Sequence, residues 1–393
     1  DDLKVMSYNV LNYYGNTDSR ADTLEKILNY YTPDLFMVQE IKAEAGFNEI
    51  VSTLNGINSD EYVGGTYVNQ MSNPSSSWKL QQNIVYNTKV FGMAEENVVT
   101  SNYRDINYFK LFLKAADLAI TNDTVFLHVF VTHLKSSQGA SNEVLRYEQA
   151  QTMRAAINAL PANSNVVCGG DFNLYTSAED AYAHLIESGQ TNTLEDPINM
   201  PGNWHNSSFP NKEILTQSTR LTGLSDGASG GVDDRFDFVL HSEELSQGNL
   251  SLSYADGSYK ALGNNGTCYN QDLIDCSTAN NVPFSILSAL YQFSDHLPVV
   301  FTLTSDVTLA TNNIENLDFS IYPNPVKEQL NIEIPEGLGE VEITLTDALG
   351  RVLQQEVSSK NNLVLNMSNQ TPGVYFVTLQ VGQDKLVKRI VKE

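Results

Sequence analysis

Over the first three hundred residues, apolar runs of strand length alternate with stretches whose apolar positions recur every three or four residues. The alternation predicts strands at Leu3–Val10, Leu35–Glu40, Asn83–Asn87, Val125–His133, Asn165–Cys168, Phe236–Leu240 and Pro298–Leu303. It predicts helices at Arg20–Tyr31, Glu143–Leu160 and Ala178–Ser188, the second ending near Pro161. Residues 305–318 are polar and aperiodic, which reads as a linker. The texture then changes. Short strands at Ile321–Tyr322, Gln329–Ile334, Val341–Asp347, Val352–Val357, Leu363–Asn366, Gly373–Val381 and Lys385–Val391, split by turn residues, predict a small all-β sandwich over 319–393. The division expected is thus an α/β domain over 1–304, a linker and a β-domain.

Many of the first-domain strands stop at a residue of useful chemistry: Asn9, Glu40, His133, Asp171 and Asp237. Rigid strands that deliver such groups to one sheet edge are how α/β scaffolds build sites. Hard cations such as Mg²⁺ take oxygen ligands and keep several waters. Glu40, Asp295 and Asn9 are ligands of the right type. Asp171 and Asn173 stand two apart, so on an extended backbone they face the same way, one to accept from a water and one to donate to a phosphate. His133 and His296 can donate to phosphate oxygens, and a carboxylate such as Asp237 would fix an imidazole's tautomer and raise its pKa.

Charge narrows the classes. The net charge of −24 divides into −19 over residues 1–304 and −5 over 305–393. That field repels polyanions at long range and argues against a nucleic-acid-binding module, yet a bound metal inverts the local potential and leaves phosphoester hydrolysis open. No apolar run approaches the roughly 20 residues that span a bilayer. The chain opens directly on a strand, as expected if a leader has been removed or none existed.

The ordered set Asn9, Glu40, His133, Gly170-Asp171-Phe172-Asn173, Asp237 and Ser294-Asp295-His296 resembles the endonuclease/exonuclease/phosphatase superfamily. The resemblance implies a four-layer α/β-sandwich with the site along one sheet edge. It implies Glu40 as principal metal ligand with Asn9 and Asp295 nearby, and Mg²⁺ as the ion, with Mn²⁺ or Ca²⁺ as substitutes. It further implies Asp171 as activator of water, Asn173 as phosphate donor, Asp237–His296 as a carboxylate–imidazole pair and His133 as a second imidazole. In nuclease relatives a carboxylate from an earlier strand supports that second imidazole. Here the corresponding Trp78–Tyr86 offers Gln81 and Gln82 and no acid.

The stretches around Thr132-His133-Leu134-Lys135 and Gly170–Tyr175 are similar to bacterial extracellular nucleases. Lys135, Arg146 and Arg220 are the candidate substrate contacts, Arg220 in a loop that runs into the glycine-rich Gly227–Gly231. The carboxy-terminal region resembles the type A sorting domain of type IX secretion, on Ile321-Tyr322-Pro323-Asn324-Pro325, Asp347-Ala348-Leu349-Gly350-Arg351, Pro372-Gly373-Val374-Tyr375-Phe376 and the basic end Lys385–Lys392. It implies export through the periplasm of a Gram-negative bacterium, to the medium or the cell surface, with the type IX machinery as partner.

Such a route permits a Cys268–Cys276 bridge, while Cys168 reads as a buried small hydrophobe. The function expected is a low-specificity nuclease. A phosphomonoesterase or a sphingomyelinase-like phosphodiesterase, and a surface binding protein with a decayed site, are the alternatives. Outside the motifs, His128 reads as packing, His184, His205 and His241 as ordinary residues, Asp233 and Asp234 as solvated, and Tyr8, Tyr13 and Tyr14 as core aromatics.

Overall fold

The computed structural model describes residues 1–15, 19–58, 61–76, 79–115, 124–205, 209–275, 282–307, 309, 319–334, 341–358, 360–381 and 384–393. In the first unit the strands are β1 (Asp2–Tyr13), β2 (Leu35–Ile41), β3 (Tyr62–Gly64), β4 (Gln81–Asn87), β5 (Phe91–Val99), β6 (Ile106–Leu113), β7 (Phe126–His133), β8 (Val166–Asp171), β9 (Leu194–Glu195), β10 (Asp237–Ser242), β11 (Leu252–Tyr254), β12 (Lys260–Ala261) and β13 (Val299–Ser305). The helices are α1 (Ala21–Tyr30), α2 (Glu44–Asn58), α3 (Ala140–Asn158), α4 (Asp180–Leu185), α5 (Glu243–Gln247) and α6 (Phe284–Phe293).

Two mixed sheets form the centre. One runs β11-β13-β1-β2-β4-β3, with β12 also on β13; the other runs β5-β6-β7-β8-β10-β9. Their inner faces share one apolar core that includes Val5, Met37, Ile84, Val129 and Val167. Close approach at the middle depends on glycine. A Cβ on Gly169 of β8 would fall 2.4 Å from Met37 Cε of β2, and one on Gly170 would fall 1.9 Å from Thr132 O of β7. Gly170 is therefore required by the β7 backbone beside it, whereas a side chain at Gly169 would displace only the flexible end of Met37. With α1, α2 and α6 against the first sheet and α3 and α4 against the second, the expected four-layer α/β-sandwich is the fold.

Several elements go beyond the sequence pattern: α2, α6 and the β5–β6 hairpin are additional. The first unit also reaches Leu309, which bridges Ala115, five residues past the boundary drawn from composition. Residues 310–318 lie outside the described residues. Among the described residues the second unit has seven strands in two sheets: Ser320–Tyr322, Gln329–Glu333 and Asn362–Asn366 in one, and Val352–Ser358, Val341–Asp347, Gly373–Val381 and Asp384–Lys392 in the other. A core of Leu330, Ile332, Ile343, Leu345, Val377 and Leu379 lies between them, as a sandwich requires. Among the described residues no helix is long and apolar enough to cross a membrane.

Candidate active site

Sheet register assembles the chemistry. His133 of β7 lies opposite Asp171 of parallel β8, and Asp171 lies opposite Asp237 of antiparallel β10. One row across three strands thus brings an imidazole and two carboxylates to one sheet edge. Asp237 begins its strand, where the hydrophobic pattern had it near a strand end, and the reversed direction of β10 is what puts it beside Asp171. On the facing sheet Asn9 pairs with Gln39, so Glu40 follows at the same edge, and β13 starts just after Asp295-His296. Positive φ angles at Leu11, Asn12 and Glu40 (47°, 48° and 62°) end the regular β1–β2 ladder there. Such strain at three non-glycine residues persists only where surroundings hold it, and it clusters at functional edges.

The eight motif residues meet in space around Asn9. Its Nδ2 lies 3.0 Å from Glu40 Oε1, 3.1 Å from Asp171 Oδ2 and 3.4 Å from His296 Nε2. His296 Nδ1 is 2.7 Å from Asp237 Oδ2. Its Nε2 is 3.7 Å from Asp171 Oδ2, and His133 Nε2 approaches the same oxygen at 3.4 Å. Ser294 completes the frame, donating to Asn9 O at 2.7 Å and accepting from His296 N. Asn173 faces the cavity for a different reason from the one alternation suggests. Its φ is 50°, and its N–H donates to Asp171 Oδ1 in a tight turn, so the segment is not extended.

Burial sets the protonation states. Desolvation, with Asp237 and Glu40 adding to it and His296 and Arg104 opposing, pushes the Asp171 carboxyl up to about 7. Desolvation alone would lower His296, but Asp237, Asp295 and Asp171 outweigh it and hold the imidazolium well above the ordinary range. His133 goes the other way: desolvation, then the charges of Arg104, His296 and Lys135, drive it well below, and its buried Nδ1 has no partner. That orphan atom agrees with the absence of an acid on the preceding strand. Held neutral, His133 is a weaker general acid than the His296 imidazolium.

The cavity at this edge encloses about 280 Å³. Glu40, Asp171, Asp226 and Asp295 line it against one fixed cation, Arg104. Asp295 Oδ1 is buried without a hydrogen-bond partner. An uncompensated set of this kind suits a hard divalent cation and would repel a phosphate without one. The metal-competent cluster is Glu40, His133 and Asp171, whose donor atoms lie within 4.8 Å of one another. Asn9, expected as a ligand, turns its Nδ2 toward the carboxylates and its Oδ1 toward Leu11 N (3.0 Å), so it bridges the carboxylates in this arrangement.

The three basic candidates are placed differently from expectation. Arg146 is fully buried: Nε donates to Glu179 Oε2 at 2.7 Å and Nη1 to Lys135 O and Ser137 O at 2.9 Å each. Because Glu179 also accepts from Tyr175 N, Arg146 ties the loop after His133 to the loop after Asn173. It braces the two loops, and its remaining nitrogen, Nη2, is buried away from the cavity wall. Arg220 stacks on Tyr291, 3.7 Å from the ring centroid, and donates to Tyr291 O, outside the cavity wall. Lys135 borders the cavity without lining it, with Nζ 2.5 Å from Ser136 O.

Two residues that no motif flagged do line the cavity. Arg104, buried, donates to Leu134 O at 2.8 Å. Gln217 Nε2 lies 2.6 Å from His296 Nε2 and 3.0 Å from Asp295 Oδ2. Gln217 belongs to the loop read as a possible substrate loop, and so do the wall residues Asp226 and Ala228. Asp233 and Asp234, read as solvated, are 7% and 8% exposed, and Asp234 pairs with His205. Tyr14, read as core, is half exposed. Cys168 is free and buried, and Cys268 is buried and disulfide-bonded; Cys276 lies outside the described residues.

Residues 6–296 match the model of the endonuclease/exonuclease/phosphatase family, and residues 320–393 match that of the secretion system C-terminal sorting domain. No curated protein matches the chain. Solved structures similar to it include the human Nocturnin catalytic domain with bound sulfate, at 15% identity over 77% of this chain and 93% of that one, TM-score 0.47. They also include D. rerio TDP2 complexed with a single-strand DNA product, at 16% identity over 78% and 100%, TM-score 0.47. A Bacteroides thetaiotaomicron protein of the same family is similar at 14% identity over 78% and 96%, TM-score 0.46. The chain thus belongs to the endonuclease/exonuclease/phosphatase family, hydrolases of phosphoester bonds that typically use divalent metals, and carries a type IX sorting domain that indicates export.

Proposed function

We propose that the protein is a secreted, Mg²⁺-dependent phosphodiesterase that cleaves nucleic acid with low sequence specificity. The observation that carries this reading is the acidic cavity in which Glu40, Asp171 and Asp295 face Arg104, Asn173 and His296. Glu40 would anchor the ion, with Asp295 Oδ1 and His133 as its other candidate donors; carboxylates suit Mg²⁺, Mn²⁺ and Ca²⁺ alike. When bound, the ion polarises the phosphoryl oxygen and offsets the charge of the cavity.

The remaining steps belong to this chain's own groups. Asp171, in the cavity wall beside Asn173 and His296, orients the attacking water and accepts its proton. The His296 imidazolium, held by Asp237, donates toward the phosphoryl oxygens and is the proton source for the leaving oxygen. Asn173 and Arg104 add fixed donors on the other flank. The test is a panel of plasmid DNA, RNA, sphingomyelin and nucleoside monophosphates, each with Mg²⁺ and with chelator. The reading expects plasmid and RNA cleavage that needs Mg²⁺. Faster release from monophosphates or sphingomyelin would move the substrate class, and no metal-dependent cleavage of any of them would end it.

A further inference from the structure

A second cavity, of about 440 Å³, opens in the first unit and shares no lining residue with the catalytic one. Strand β10 joins the two regions: Asp237 stands at its catalytic end and His241 four residues on, about 13 Å away at roughly 3.3 Å per residue. Its walls include Glu195, Asp196, Tyr254, Asp256 and His241, and no lysine or arginine. Asp196 is neutralised, because Arg235 grips both of its oxygens at 2.8 Å. Glu195, opposite His241 in the β9–β10 register, and Asp256, exposed at the rim, meet no basic residue among the described wall residues.

His241 supplies the second observation. It is 2% exposed and its ring stacks on Tyr254 at 4.7 Å. Nδ1 lies 3.1 Å from Ser242 O, a contact that a carbonyl permits only if Nδ1 carries the proton. Nε2, on the other edge of the ring, is then an acceptor, and it has no partner. An unpaired acceptor beside two carboxylates calls for a ligand that brings both N–H donors and positive charge. A compact metal ion is disfavoured, since among the described residues the groups whose donor atoms converge to metal-holding distance are Glu40, His133 and Asp171. An elongated cation with separated charges can serve His241 beside Glu195 and also Asp256 at the exposed rim.

We propose that this cavity binds a linear aliphatic di- or polyamine, one ammonium group donating to His241 Nε2 beside Glu195 and another meeting Asp256 at the rim. The assignment stands apart from the hydrolytic reading, since it uses none of the same residues.

The experiment is calorimetric titration of the full chain with spermidine at about 0.15 M salt, where diffuse attraction to an acidic surface is largely screened. One saturable site is expected. The Glu195→Gln/Asp256→Asn double variant should weaken it at least tenfold, while neutralising two exposed acids elsewhere, Glu95→Gln/Glu143→Gln, should change it less than twofold. Spermidine should also shift the His241 Nε2 resonance in ¹⁵N spectra. Absence of a saturable site, equal losses in the two double variants, or an unmoved His241 resonance would each overturn the proposal.

Discussion

The two units handle buried polarity in opposite ways. In the second, the buried set is apolar apart from Ser358, and the described charges lie toward solvent. In the first, Asn9, His133, Asp171, Asp237, Asp295, His296, Arg104 and Arg146 are all buried. Burying a charge costs several kcal/mol unless partners compensate, so a chain keeps such a group where chemistry or positioning needs it. The sorting domain shows what the chain builds when packing alone is required. The difference therefore locates the reactive part of the molecule without reference to any motif, and each substitution below tries to break that division.

The largest expected effect is on rate. Asp171→Asn and His296→Ala should each cost about a thousandfold or more in turnover with a native melting curve. Leu345→Ala in the second unit should leave turnover unchanged. If turnover falls equally in all three, the division between the units is wrong. Next in size is Arg146→Met, which leaves Glu179 buried and unpaired and should cost about 3–5 kcal/mol of first-unit stability. Because Arg146 also holds the loops beside His133 and Asn173, turnover should fall along with stability, and Arg146→Lys should not restore the two carbonyl contacts. Leu345→Ala itself should cost the second unit about 2–5 kcal/mol by opening a cavity, read as an earlier transition for that unit alone.

The smallest effect sharpens the comparison through pH. Burial pushes His128 down to about 4, with Lys110 adding to it. The unfolded chain then binds a proton near pH 6.5 that the folded chain refuses. The stability this group contributes is fully present above about pH 6.5 and is lost as pH falls toward 4. His128→Gln should flatten the stability profile across that window, by on the order of 1–3 kcal/mol, and leave it alone above pH 7. An unchanged slope in the variant would show that His128 is not the group that titrates.

Much of this arrangement was legible in the chain. Strand-end residues of the right type, in order, locate the catalytic edge, and short runs split by turn residues gave the strands of the second unit, while most of the expected linker lies outside the described residues. What was not legible has physical causes. Arg104 and Gln217 act through contacts with His133, Leu134, Asp295 and His296 that register and loop path create, with no local pattern to mark them. Strand β5 is an exposed edge without alternation, so it shows no clean period. Helices α2 and α6 did carry a signal: Phe47, Ile50 and Leu54 at helical spacing, diluted by Gly46 and Gly56, and Ile286, Leu287, Leu290 and Phe293 buried opposite Ser285, Ser288 and Gln292 over only ten residues. Arg146 shows the reverse error. A basic residue near a motif suggested substrate, yet its burial makes it a brace.

The account turns on whether Glu40 and its neighbours hold an ion that hydrolysis requires. The direct measurement is the initial rate of plasmid cleavage against Mg²⁺ concentration, starting from chelated protein, for the native chain and Glu40→Gln. The account predicts no cleavage without the ion, saturable recovery in the native chain, and at least a tenfold higher Mg²⁺ requirement in the variant. Cleavage that ignores the chelator, or one Mg²⁺ curve shared by both proteins, would contradict it.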